Sequence, residues 1–298
     1  MSAPVFRSRI IVRLLVPVLL AATACDSQMT QPSGATPEVD TAISTDGVPI
    51  KYEVRGDGVP ALVLIHGWSC DRSYWAEQVG PLSEHYKIVT IDLGGHGESG
   101  LGREDWTIDS FGADVAAVVS SLDLQSVVLV GHSMGGDVIF QAARRMPERV
   151  RLLVMADTYK QLGTPSSDEE IDAFVAQLEA DFPTVTEQFV RGMFPAGAEP
   201  ALVDRVALDM ASAPPVVALS SVRSSFRHAR GVTGLIEQLR IPVVAINPDD
   251  APTDMESMAK YGVDVEIMPG VGHFLMMDDP EGFNEVVLST VAEYSEVL

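Results

Sequence analysis

The chain has 298 residues, room for one large α/β domain or two small ones. Its 46% hydrophobic and 21% charged residues exclude a disordered or fibrous chain. Twenty Lys and Arg stand against 42 Asp and Glu, a formal charge of -22. Phosphate binding needs clustered positive charge, so this balance argues against nucleic acid and anionic lipid surfaces as partners. Cys25 and Cys70 allow at most one disulfide, which excludes a disulfide scaffold.

At the N-terminus, Arg7, Arg9 and Arg13 form a basic stretch ahead of the apolar residues 14–22. That apolar stretch is about half the ~20 residues a membrane span requires, so it reads as a signal peptide over residues 1–24. Leu20-Ala21-Ala22-Thr23-Ala24-Cys25 resembles a bacterial lipobox, with Ala22 where Leu is usual. The resemblance implies that Cys25 is lipidated and becomes the mature N-terminus. The expectation is an exported cell-envelope lipoprotein that meets a membrane only through its lipid anchor. Residues 25–41, polar with Pro and Gly and without periodicity, read as a flexible tether. Cys70 is then left without a disulfide partner.

The folded domain is expected over residues 42–298. Residues 48–54 alternate apolar and polar like a half-exposed strand, after the turn Asp46-Gly47. Residues 61–65, 87–91, 126–130, 150–155, 241–246 and 263–268 are apolar-rich runs suited to strands covered on both faces. Helical patterns over 107–122, 135–145, 253–261 and 281–296 separate them. Such alternation predicts a mostly parallel sheet with helices on both faces. Residues 158–240 break it. Ser166-Ser167-Asp168-Glu169-Glu170 offers a capping box, residues 201–210 and 216–226 read as further helices, and Pro183, Pro195, Pro200, Pro214 and Pro215 punctuate the segment. This insertion reads as a helical cap over the sheet edge.

Gly131-His132-Ser133-Met134-Gly135 fits G-x-S-x-G, with an apolar strand running into it and a helical pattern following it. A tight strand-to-helix turn would thrust the Ser133 hydroxyl out at the sheet's C-terminal edge. The helix N-terminus would offer amides where negative charge develops. A serine hydroxyl needs a base, and His273 follows the last strand in Pro269-Gly270-Val271-Gly272-His273-Phe274. Among the other histidines, His66 reads as a loop-bracing hydrogen bonder, His85 and His228 as exposed, and His132 as turned away from the serine. The base needs a carboxylate. Asp249 and Asp250 end the strand at 241–246 and are the favoured candidates, with Asp157 at the end of the preceding strand a third. Ile65-His66-Gly67-Trp68 follows the first parallel strand, so the amides of Trp68 and Met134 are the expected oxyanion donors.

Ile65-His66-Gly67-Trp68, Asp92-Leu93-Gly94-Gly95-His96-Gly97-Glu98-Ser99, Gly131-His132-Ser133-Met134-Gly135 and Gly272-His273-Phe274 together resemble the ordered motifs of the α/β-hydrolase fold superfamily. The resemblance spans about residues 42–298. It implies an esterase or related acyl hydrolase acting on a small-molecule acyl substrate, with no metal or organic cofactor. The acid loop departs from the usual His-Gly-x-x-Asp: Asn247-Pro248-Asp249-Asp250-Ala251-Pro252-Thr253 resembles a variant N-x-D-x-x-P-T that points to Asp249, while Asp250 sits nearer the usual spacing.

Gly95-His96-Gly97-Glu98-Ser99-Gly100 matches the dinucleotide fingerprint G-x-G-x-x-G, but no helix opens at its glycines and no strand ends in an acid at the required distance. No H-E-x-x-H, cysteine cluster or paired-histidine spacing suggests a metal site. The serine argues against haloalkane dehalogenases and epoxide hydrolases, which resemble this fold with Asp in its place. Lactone, thioester, C–C and aminoacyl cleavage share the same apparatus. The rival from another class is a non-catalytic ligand-binding protein on this fold.

Overall fold

The five residues of β3 (Ala61–Ile65) are all buried, because Ala-Leu-Val-Leu-Ile offers apolar side chains to both faces of a sheet. Each such side chain contributes about 1.5–3 kcal/mol on burial. In the computed structural model, which describes residues 39–295, β3 lies near the middle of an eight-stranded sheet. Ahead of it come β1 (Val39–Ile43) and β2 (Pro49–Arg55). A short 3-10 turn (Arg72–Trp75) and α1 (Ala76–Ser83) lead to β4 (Lys87–Ile91), and α2 (Ile108–Ser121) leads to β5 (Val127–His132). Then α3 (Met134–Arg145) precedes β6 (Val150–Ala156).

Five helices separate β6 from β7: α4 (Asp168–Ala180), α5 (Phe182–Arg191), α6 (Pro200–Ala211), α7 (Pro215–His228) and α8 (Val232–Leu239). β7 (Val243–Pro248), α9 (Met255–Lys260), β8 (Val263–Met268), α10 (Leu275–Asp278) and α11 (Pro280–Ser295) complete the domain. The sheet order is β1-β2-β4-β3-β5-β6-β7-β8. β1 and β2 pair antiparallel, β2 meets β4 antiparallel, and all later pairings are parallel.

The predicted strands correspond to β2–β8. The tether boundary is corrected: β1 starts at Val39, inside the stretch read as linker to residue 41. Only Ala42 of its five residues is buried, so no apolar run signals it. The signal-peptide reading, Cys25 and the tether as far as residue 38 lie outside the described residues.

Local chemistry sets the helix starts as expected. Thr107 caps α2 in a reciprocal box with Ser110, and Ser167 caps α4 in one with Glu170. The Gly95–Gly100 segment is a turn rather than a nucleotide loop: Gly95 and Gly97 have φ of 81° and 51°, and the next helix after it begins only at Ile108. Asp92 organises it, accepting from the Arg72 and Glu98 amides and pairing with the Arg72 guanidinium.

The chain steps from β3 outward to β4, then back across to β5 on the other side of β3. This reversal opens a crevice at the carboxyl ends of β3 and β5, where open α/β sheets place their ligands.

Candidate active site

Strand register assembles the site. Ile65 lies beside Gly131, His132 beside Ala156, and Ala156 beside Ile246, so the residues after β3, β5 and β6 emerge together. Ser133 is the first residue beyond β5 and the N-cap of α3, with φ 51° and ψ -121°. Few non-glycine residues adopt this conformation, which points to a backbone held by its surroundings. Its N–H donates to Ala156 O at 2.9 Å, and its carbonyl accepts from Gly136 N–H at 2.9 Å and from Thr158 Oγ1 at 3.0 Å.

Two glycines of the motif are required by contact. A Cβ at Gly131 would lie 2.2 Å from Gly135 O, and one at Gly135 would lie 2.4 Å from Ile65 O. β5, the turn after it and the end of β3 therefore meet backbone to backbone.

His273 Nδ1 lies 2.6 Å from Asp157 Oδ2. The ring then donates from Nδ1, leaving Nε2 as its basic nitrogen. Asp157 follows β6, the direct neighbour of β5, whereas Asp249 and Asp250 follow β7, one strand further away. This corrects the sequence expectation. Asp249 Oδ1 instead accepts from Gly270 N–H at 2.8 Å, bracing the turn before the histidine loop. Asp250 pairs with Lys160, whose ammonium also lies 3.8 Å from Asp157 Oδ1. The N-x-D-x-x-P-T stretch serves as a brace: Asn247 Nδ2 donates to Tyr159 O at 3.0 Å and to Thr253 Oγ1 at 3.1 Å.

The histidines divide by burial. His66 is enclosed, with Nε2 accepting from Leu93 N–H at 3.0 Å and Nδ1 2.8 Å from Gly67 O, the loop-bracing role its position suggested. Burial pushes its pKa down to about 4, and that of His96 to about 3. His132, read as turned away from the serine, packs on His273: its Nε2 donates to His273 O at 2.9 Å, and its ring centroid is 4.7 Å from that of His273. Burial, then the neighbouring His273, holds its pKa well below the usual imidazole range. His85 is exposed as expected, but His228 is not: its side chain is 9% exposed and its Nδ1 lies 3.2 Å from Asp137 Oδ1.

A cavity of about 250 Å³ brings together Gly67, Trp68, Ser133, Met134 and His273. Met134 opens α3, so its N–H belongs to the first turn, which has no partner within the helix. Trp68 ties the loop after β3 to the insertion, its Nε1 donating to Ala218 O at 2.8 Å. The insertion supplies much of the wall, with Phe174, Phe189, Met193, Met210, Val222 and Phe226 from α4 to α7 and the α5–α6 link. Of the aromatic and apolar residues near these loops, Trp68 and Phe274 face this cavity, while Tyr74, Trp75 and Met276 are buried in the core. The insertion also holds the His273 loop: His273 N–H donates to Met193 O at 3.0 Å, and Phe194 stacks on Phe274 at 4.9 Å.

Cys70 is a buried free thiol on the cavity wall, its Sγ 3.3 Å from Trp68 O. Among the described residues, no three His, Cys, Asp or Glu side chains gather as a metal ion would need.

A family model described as alpha/beta hydrolase fold matches residues 60–226. The chain is 27% identical over 267 residues to the dihydrolipoyllysine-residue acetyltransferase component of an acetoin cleaving system from Pseudomonas putida, covering 82% of this chain and 66% of that protein. It is 32% identical over 151 residues to a pimeloyl-[acyl-carrier protein] methyl ester esterase from Aliivibrio fischeri, covering 48% of this chain and 55% of that one. The chain thus spans two-thirds or less of these curated relatives. Among solved structures, a thermophilic esterase from Thermogutta terrifontis superposes with a TM-score of 0.74 at 23% identity, covering 87% of this chain and 99% of that one.

Proposed function

Because the chain belongs to the alpha/beta hydrolase fold family, we propose that it is a serine hydrolase cleaving carboxylic esters or closely related acyl bonds. The observation that carries this reading is the 2.6 Å contact between His273 Nδ1 and Asp157 Oδ2, at a cavity that Ser133 also lines. The carboxylate holds the ring in the tautomer that frees Nε2 and stabilises the imidazolium formed when that nitrogen takes a proton. The likeness to a methyl ester esterase favours esters within the acyl-transfer class.

In the proposed reaction, Ser133 Oγ attacks the substrate carbonyl carbon while its proton passes to His273 Nε2. The carbonyl π pair moves to oxygen, and the amides of Trp68 and Met134 hold the oxyanion. As the oxyanion collapses, the bond to the alkoxy group breaks and His273 protonates the departing alcohol. Water then repeats the sequence on the acyl-enzyme: His273 takes its proton, the acid leaves, and Ser133 regains its hydrogen. All charge stabilisation in this scheme comes from groups of the chain.

A fluorophosphonate probe tests the reading. It should label the protein stoichiometrically at Ser133, and Ser133→Ala or His273→Ala should abolish both labelling and hydrolysis of 4-nitrophenyl butyrate. An unlabelled, folded wild-type protein would favour the non-catalytic ligand-binding alternative.

We also propose export with lipidation at Cys25, supported by the basic Arg7, Arg9 and Arg13, the short apolar stretch and the lipobox-like residues 20–25.

A further inference from the structure

One buried carboxylate in the cavity has no part in the proposed hydrolysis. Asp137 stands four residues beyond Ser133, about one turn along α3, is 3% exposed, and lines the same cavity. Its Oδ1 accepts from the Tyr159 hydroxyl and faces His228 Nδ1 at 3.2 Å, and its Oδ2 accepts from Ser225 Oγ. An ionised carboxylate has about four acceptor positions, so these three donors leave one open. Tyr159 and Ser225, having given their protons to Asp137, turn only lone pairs to the cavity they both line. His228 Nε2 is buried without a partner, which fits the tautomer with the proton on Nδ1. The cluster offers acceptors and no spare donor.

No Lys or Arg lines this cavity, and no Lys or Arg pairs with Asp137 among the described residues. The Phe174 ring meets those of Phe189 and Phe226 at centroid distances of 5.2 and 5.8 Å, and all three line the same cavity as Asp137. Aromatic faces attract cations. A purely apolar acyl chain would find its match in the phenylalanines alone and would leave the buried carboxylate with no permanent cation, its one ionisable nitrogen neighbour being His228.

We propose that this part of the cavity is a subsite for an ammonium group carried by the substrate, with Asp137 as its counter-ion and Phe174, Phe189 and Phe226 as its wall. The proposal deepens the hydrolase reading and rests on it.

The experiment compares 4-nitrophenyl esters of one length: 6-aminohexanoate, heptanoate, 6-hydroxyhexanoate and the monoester of pimelate. The wild-type protein should prefer the amino ester over heptanoate at least tenfold in kcat/KM and reject the pimelate ester. Asp137→Asn should lower kcat/KM for the amino ester at least tenfold more than for heptanoate, a change of ratio that simple loss of packing would not produce. Preference for heptanoate, or for the hydroxy ester over the amino ester, overturns the proposal, as does a ratio untouched by the substitution. If Asp137→Asn does not fold, hexylammonium on the wild-type protein decides: it should raise the melting temperature and compete with heptanoate hydrolysis where hexanoate does neither. No cleavage of any ester would sink the hydrolase reading, and the subsite would then stand or fall on the hexylammonium shift.

Discussion

The carboxyl edge of the sheet and the helical insertion contribute to one cavity in different ways. In the proposed reaction the edge supplies the chemistry from positions that each end or follow a strand: Trp68 after β3, Ser133 after β5, Asp157 after β6 and His273 after β8. Their mutual placement is set by backbone register, which varies little once the strands pair. The insertion supplies apolar side chains from the inner faces of α4 to α7, together with two contacts that steady the base, Met193 O and the Phe194 ring. A proton relay needs groups placed to a few tenths of an ångström, which a sheet provides, whereas substrate fit needs only shape and polarity, which helices can vary.

The largest effect tests the edge. Asp157→Asn should lower kcat on a 4-nitrophenyl ester by about 10³ to 10⁴ with little change in KM, because the ring loses its tautomer and imidazolium support. Asp249→Asn and Asp250→Asn should each stay within about tenfold of wild type. A protein in which Asp157→Asn retains a tenth of wild-type kcat would return the acid role to one of the β7 residues.

A localisation effect comes next in size. Cys25→Ser should move most of the protein from the membrane to the soluble fraction of fractionated cells, and retention in the membrane would defeat the lipid-anchor proposal.

A smaller effect tests the insertion. Phe194→Ala removes the stack on Phe274 beside the base and should cost about tenfold in kcat, since slight misplacement of a catalytic group is costly. Steady-state kinetics with urea unfolding as a control separate this from loss of fold. An unchanged kcat would mean that the sheet edge positions His273 unaided.

The smallest effect concerns stability. Burial holds His66 near pKa 4 and His96 near 3, and His132 well below the ordinary value of about 6.5. The unfolded chain therefore binds more protons than the folded one in this range, so stability is full above about pH 6.5 and falls as the pH drops toward 4. Unfolding near pH 5 should take up close to three protons through these rings, and the urea midpoint should be lower at pH 5 than at pH 7. Imidazole resonances of His66, His96 and His132 that titrate at about pH 6.5 in the folded protein would overturn this account.

Ser133 and His273 were legible in the chain because each rests on a local device. One is a glycine-flanked turn between an apolar strand and a helix, the other a glycine-rich loop after the last strand. The inner strands β3, β5 and β7 were legible for the same reason, as apolar runs buried on both faces, whereas β8, read as another such run, is an edge strand that buries only Val263 and Met268. Edge strand β1 was not, because four of its five residues keep some contact with solvent.

The choice among Asp157, Asp249 and Asp250 lay beyond local reading. All three follow apolar strands, and chain order says nothing of which strand lies beside β5. Long-range pairing of β5 with β6 decided it, placing Asp157 one strand from the serine and leaving Asp249 and Asp250 to brace neighbouring turns. The same holds for His132 and His228. Their sequence neighbours are unremarkable, and only packing of the loop after β8 on the end of β5, and of α7 on α3, gave one the carbonyl of His273 and the other the carboxylate of Asp137. A side chain's fold element is written in the residues around it, while its partner comes from residues about 90 to 140 positions away, brought near by burial of the sheet and its helices.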